Sequence, residues 1–204
     1  ALTSGLLLGL PWSARSLFFV IFIAWVPLLL VEEKARSHQR SNAYVIFNYA
    51  FVSFLLWNII GTWWIMQAQL VGAILIIIAN SLLQALVFWL ASRIRTILRI
   101  PLLFSFLLIW MGYEHFHLSW DLAWPWLNLG NALATAPELI QWYEFTGVRG
   151  GTLWIILTNF ALLRVYDTYR EKGPGSIVPV GAATLTLLLI PIFGSYLIFQ
   201  NVEE

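Results

Sequence analysis

Long apolar runs with few charges inside them constrain this chain more than any other feature. Seven runs stand out, at about 1–12, 16–31, 43–64, 69–92, 101–118, 151–166 and 177–199. A bilayer span takes roughly 20 apolar residues, fewer where it is cut short or re-entrant. Only 10% of the 204 residues are charged, against about 25% in average soluble domains. A soluble core could not hide this much apolar surface from water. The sequence therefore predicts an all-α, polytopic integral membrane bundle of about seven spans. It forms one transmembrane domain over 1–204, with a re-entrant or interfacial Trp-rich loop between spans five and six.

Charge placement gives an orientation. The loop after span two holds Lys34, Arg36 and Arg40, the loop after span four Arg93, Arg95 and Arg99, and the loop after span six Arg164, Arg170 and Lys172. These are nine of the eleven basic residues. With seven spans all three loops fall on one side, which the positive-inside rule makes cytoplasmic. The N-terminus is then inside. The C-terminal Asn201-Val202-Glu203-Glu204 and the segment joining spans five and six are outside. Trp12, Trp63, Trp64, Trp120, Trp142 and Tyr143 fall where aromatic belts belong. Pro191 predicts a kink in the last span, and Gly173-Pro174-Gly175 a turn.

A formal net charge of +1 suggests no nucleic-acid partner. The chain has no cysteine, so it offers no disulfide, thiolate ligand or thiol nucleophile. ALTSGLLLGL lacks a basic leader and a start Met, which reads as numbering from within a processed or truncated N-terminus.

One stretch departs from the apolar pattern. Gly112 to Gly151 gathers His115, His117, four Trp, two Pro and five Gly between hydrophobic runs. Thr135-Ala136-Pro137-Glu138 resembles a capped helix start, predicting a short amphipathic helix over about 136–145. Segment 119–134 carries little helical signal. Its Trp residues fit either an interfacial anchor or a loop lining a wet cavity, since non-helical backbone at membrane depth must be enclosed by protein or water.

Glu114 follows an apolar run. An ionisable group there is costly, and is usually paired or functional. His117 lies at i+3 on the same helical face, so a Glu114–His117 contact is expected, either as a plain ion pair or as a means of orienting a head group or holding the Trp-rich loop. His115 and His117, two apart, face differently on a helix, so no metal site is expected. Asn80, Ser81 and Gln84 in span four fit interhelical hydrogen bonding. The spans lack the charged residues of a transport pathway. No G-x-S-x-G, H-E-x-x-H or P-loop pattern occurs. On these residues alone the chain could bind lipid or anchor a partner.

Several motifs together carry a resemblance. Glu114 precedes Trp124-Pro125-Trp126-Leu127-Asn128-Leu129-Gly130, followed by Pro137 and the F-T-G-V-x-G-G run from Phe145 to Gly151. GLLLGLPW at the start, Val26-Pro27-Leu28, and Gly61-Thr62-Trp63-Trp64 add to it. The combination resembles the membrane domain of apolipoprotein N-acyltransferases over nearly the whole chain. That family often carries Arg three residues after its Glu, where this chain has His117.

The resemblance implies an acyltransferase of the bacterial inner membrane. A phospholipid acyl chain would pass to a catalytic Cys as a thioester, then to the N-terminal Cys amine of a diacylated lipoprotein. In the family a Glu–Lys–Cys triad does this in an extracytoplasmic nitrilase-like domain, expected after residue 204 and absent from this sequence. The chain alone should then be inactive, with no catalytic residue of its own. It would anchor the enzyme and admit phospholipid and lipoprotein substrates among membrane lipids, without cofactor or metal. Glu114, His117, Trp124, Pro125, Trp126, Asn128 and Gly130 are the expected substrate-binding residues. The alternative is a non-catalytic membrane scaffold or lipid-binding subunit of a larger complex.

Overall fold

A computed structural model describes residues 1–37, 43–121 and 123–202; Arg40, Glu203 and Glu204 lie outside them. Among the described residues the chain is all-helical, as expected. The α-helices are α1 (Leu2–Ser13), α2 (Val26–Ser37), α3 (Ala43–Thr62), α4 (Leu70–Leu98), α5 (Leu102–His117), α6 (Tyr143–Lys172) and α7 (Ile177–Val202). Among the described residues five segments are long and apolar enough to cross a bilayer: Ser16–Arg36, Tyr44–Gln67, Leu70–Leu98, Tyr143–Lys172 and Pro174–Gln200. Helices α1 and α5 are shorter, at 12 and 16 residues.

The second apolar run is not one helix. Arg15–Phe22 is a 3-10 helix, and α2 begins at Val26. Pro27 has no N–H to return to Ile23, which favours a break there. Asn159 on α6 closes the gap. Its Nδ2 donates to the Ile21 carbonyl at 2.9 Å, and its Oδ1 accepts from the Trp25 N–H at 2.9 Å. A buried amide thus supplies an acceptor to the Trp25 N–H and a further donor to the Ile21 carbonyl at the break.

Trp25, at that break, is the centre of the core. It is 1% exposed and packs within 4.7–6.4 Å, centroid to centroid, of Phe54, Trp57, Phe88, Phe106 and Trp110. Most of these pairs are edge-on or tilted, the arrangement the ring quadrupole favours, worth about 0.5–1.5 kcal/mol each beyond area burial. Lipid tails are as apolar as the core, so packing geometry and interhelical hydrogen bonds hold membrane helices together. The polar residues of α4 supply such bonds. Asn58 Nδ2 donates to Gln84 Oε1 at 2.7 Å, Asn80 Nδ2 to Asn58 Oδ1 at 2.7 Å, and Tyr113 Oη to Asn80 Oδ1 at 3.1 Å. Three helices, α3, α4 and α5, are tied in one network.

The C-terminal ends of α2 and α4 meet at one pole. Glu32, fully buried, accepts from Ser92 Oγ at 2.6 Å and from Arg95 Nη1 at 2.7 Å. Neighbouring Glu33 lies within electrostatic reach of Asp167 and Arg170 near the end of α6. The basic helix ends therefore gather at one pole, and the polar-aromatic stretch occupies the other.

Candidate functional site

Between α5 and α6 the chain folds as short turns. They include the 3-10 segments Pro125–Leu127, Leu129–Leu133 and Pro137–Leu139. The amphipathic helix expected over 136–145 is not there. Within that range Pro137–Leu139 is a single 3-10 turn, preceded by Ala136 without a side-chain cap, and the last three positions already belong to α6, which starts at Tyr143. Close prolines and the packing of this segment against α6 and α7 outweigh the local capping pattern. Gly147 takes φ 64° and kinks α6 inside its first turns.

Glu114 organises this end. It is 1% exposed. Oε1 accepts from the Leu129 N–H at 2.8 Å and from Trp110 Nε1 at 3.1 Å, while Oε2 accepts from Thr152 Oγ1 at 2.6 Å. All three partners donate, so a carboxylate satisfies each of them without a proton of its own. Thr152 Oγ1 in turn accepts from the Gly130 N–H at 3.1 Å, and Tyr143 Oη donates to the Gly130 carbonyl at 3.0 Å. One carboxyl thus joins α5, the Trp-rich segment and α6. Gly130 fits because it lacks a Cβ, which would collide with the Val148 carbonyl oxygen.

The expected Glu114–His117 contact does not form. Trp110, one turn before Glu114 on the same face, takes the place assigned to His117. His117 is 3% exposed. Its Nδ1 accepts from Trp120 Nε1 at 2.9 Å, and its ring stacks on Tyr113 at 5.0 Å. His115 turns elsewhere, with Nδ1 2.7 Å from Arg149 Nη1. Among the described residues no group of His, Asp and Glu side chains could hold a metal ion.

The remaining candidates divide between two faces. Asn128 is buried, and Pro125 accepts at its carbonyl from the Asn128 N–H and from Asn131 Nδ2. Trp126 is 54% exposed. Its ring meets Trp64 at 5.8 Å, and its carbonyl accepts from Trp12 Nε1 at 2.9 Å. Trp124 faces a cleft of about 840 Å³, inside the range of about 300–1,000 Å³ usual for small-molecule sites. Phe47, Leu75, Ile76, Ala79, Leu83 and Leu86 form its apolar wall. Asn80, His117, Trp120 and Asp121 lie with Trp124 along its lining. The structure brings His117 and Trp124 to the cleft, and places Glu114 behind the segment as its support.

Sequence reasoning missed Trp110, Thr152 and Tyr143. The i−4 spacing could have found Trp110. Nothing local marks Thr152, 38 positions from Glu114. The cleft draws its lining from α3, α4, the end of α5 and the segment after it, and no motif announces it.

The model of the apolipoprotein N-acyltransferase N-terminal domain family matches residues 4–161. The apolipoprotein N-acyltransferase of Chlorobaculum tepidum is 32% identical over 207 residues, covering 98% of this chain and 37% of that protein. That of Geobacter metallireducens is 27% identical over 203 residues, covering 96% of this chain and 38% of that protein. The chain thus spans little more than a third of the length of these relatives. No solved structure matches it.

Proposed function

The chain belongs to the apolipoprotein N-acyltransferase N-terminal domain family, and on that premise we propose that it is the membrane part of an N-acyltransferase that admits lipid substrates. The observation that carries this reading is the cleft of about 840 Å³ along α4. Its wall is apolar and its exposed members, Leu75 at 64% and Leu86 at 47%, would face lipid tails. Its polar end lies under the Trp-rich segment, where a head group would leave the hydrocarbon. A phospholipid acyl donor and a diacylated lipoprotein, each with acyl chains and a polar end, suit such a cleft. The chain would anchor the enzyme and position these chains. Positioning alone can supply a large share of a rate enhancement.

The domain would cross the bacterial inner membrane about seven times, its basic pole cytoplasmic and the Trp-rich segment at the periplasmic interface. The five long segments would each cross unaided, by their length and apolar composition. Helix α5, at 16 residues, reaches about 24 Å, and the turns after His117 would complete its crossing of a core about 30 Å thick. Helix α1 would be a short companion to α3. Its Gly5 and Gly9 lie against Ser53 and Ile60, the close approach that small-xxx-small spacing allows. Glu114, Asn128 and Gly130 would shape the segment over the cleft, with His117, Trp124, Pro125 and Trp126 nearer the substrate.

Filling the cleft tests the reading. In the longer polypeptide carrying acyl transfer, Ala79→Trp should lower turnover at least tenfold while the folded protein level is kept. Unchanged turnover with Trp filling that wall would remove the cleft from the reaction.

A further inference from the structure

Two of the cleft's side chains hold polar atoms that no group among the described residues satisfies. His117 Nδ1 accepts from Trp120 Nε1, and an indole nitrogen can only donate. The imidazole proton is therefore on Nε2. That Nε2 is buried and without a partner, as is Trp124 Nε1. The His117 ring cannot easily turn away to find one, because Tyr113 stacks on it at 5.0 Å and Trp120 packs against it at 5.4 Å. Other partnerless buried donors, on Trp25 and Trp57, sit in the closed aromatic core. Those of His117 and Trp124 belong to residues that line the cleft.

The chemistry of the lining selects the acceptor. Among the described residues no Lys or Arg lines the cleft, and Asp121 does. A phosphate would meet a carboxylate with no cation to offset it, whereas a neutral oxygen would not. Asn80 is already engaged, its oxygen by Tyr113 and its amide by Asn58. What remains is a pair of buried N–H donors carried by two residues of the lining, His117 and Trp124. A buried donor left unpaired is costly, so an oxygen delivered there by an apolar ligand gains more than it would at an exposed site.

We propose that His117 Nε2–H and Trp124 Nε1–H donate to the carbonyl oxygens of a lipid's acyl esters while the acyl chains lie along the α4 wall. The two are positioning residues for the ester group. The assignment rests on the cleft being a lipid site and adds which part of the lipid is recognised. In this chain a neutral imidazole at 117 reads an uncharged ester, where a cation would favour a phosphate.

The test compares two lipids that differ only in those oxygens. The whole chain in detergent is titrated with dipalmitoyl phosphatidylcholine and with its dihexadecyl ether analogue, each competing against a pyrene-labelled phosphatidylcholine. The ester lipid should bind about three- to tenfold more tightly, as one or two net hydrogen bonds allow. His117→Phe and Trp124→Phe should each shrink that ratio, and His117→Gln, which keeps a donor, should preserve more of it. A variant that merely loosened the fold would weaken both lipids and leave the ratio standing, which would overturn the proposal. Equal affinity of the two lipids for the unaltered chain, with Ala79→Trp abolishing both, overturns the ester assignment and leaves the lipid cleft in place. Affinities insensitive to Ala79→Trp overturn the cleft reading itself, and the proposal with it.

Discussion

Thr152 Oγ1 donates to Glu114 Oε2 at 2.6 Å across 38 positions of chain. The same hydroxyl accepts from the Gly130 N–H. This one side chain therefore links the carboxyl on α5, the backbone of the Trp-rich segment and the start of the straight part of α6. Both groups are buried, so neither can turn to water if the other is removed.

Removing either partner should destabilise the domain. Glu114→Gln places an amide N–H₂ where Thr152 donates, and about 1–3 kcal/mol should be lost. Thr152→Val should cost a similar amount, since Gly130 also loses its acceptor. The double variant should be milder than the sum, with a coupling of about 0.5–3 kcal/mol. Thermal unfolding of the four proteins in detergent measures the cycle. Additive losses would mean the two residues act separately.

Gly130→Ala should fail for a steric reason. The added methyl meets the Val148 carbonyl oxygen and its side chain, and the helix kinked at Gly147 has no room to withdraw without breaking the Tyr143–Gly130 bond. Overpacking of this kind costs about 1–3 kcal/mol. Lower unfolding temperature and faster proteolysis between residues 118 and 142 are the expected signs. Wild-type resistance would mean the two backbones are not in contact.

Asn159→Leu keeps the volume and removes the clamp on the broken second segment. The Trp25 N–H loses its partner and the Ile21 carbonyl loses one of its donors, an expected cost of about 1–3 kcal/mol. Because Trp25 heads the core, its fluorescence should also shift as the break loosens. A Leu variant of normal stability would show that the break holds without α6.

Arg95→Leu leaves the Glu32 carboxyl buried with Ser92 alone. Breaking a buried pair from one side costs about 3–5 kcal/mol, whereas replacing both charges by apolar groups often costs little. Glu32→Leu combined with Arg95→Leu should therefore recover much of the loss. Denaturation in detergent at matched conditions reads the difference, and a double variant as unstable as Arg95→Leu would contradict it.

Trp126 gives a functional counterpart. It is half exposed, and its side chain touches Trp64 and Trp124. Trp126→Ala should leave folding nearly intact while lowering acyl transfer in a full-length N-acyltransferase that carries this domain, if the proposed function holds. Full activity would take Trp126 out of the substrate path and leave it as an interfacial anchor.

The sequence by itself determined the class of solvent and the class of structure. Apolar runs with almost no charge cannot fold in water, and within hydrocarbon a backbone of this pattern satisfies its own polar groups only as helices. It also marked Glu114, Trp124 and Gly130 as unusual, because an ionisable group, a tryptophan cluster and a glycine stand out against such runs. Tertiary structure alone decided what each does. Periodicity allowed His117 and Trp110 equally as neighbours of Glu114, and packing chose Trp110 while turning His117 toward the cleft. The capping pattern at Thr135–Glu138 lost to the docking of that segment on α6 and α7. The second apolar run reads as continuous until Asn159, from the far end of the chain, pairs the backbone groups of its break. Local composition sets what a residue can bond. Which partner it meets depends on helices brought together from distant parts of the chain, and a one-dimensional pattern does not encode that.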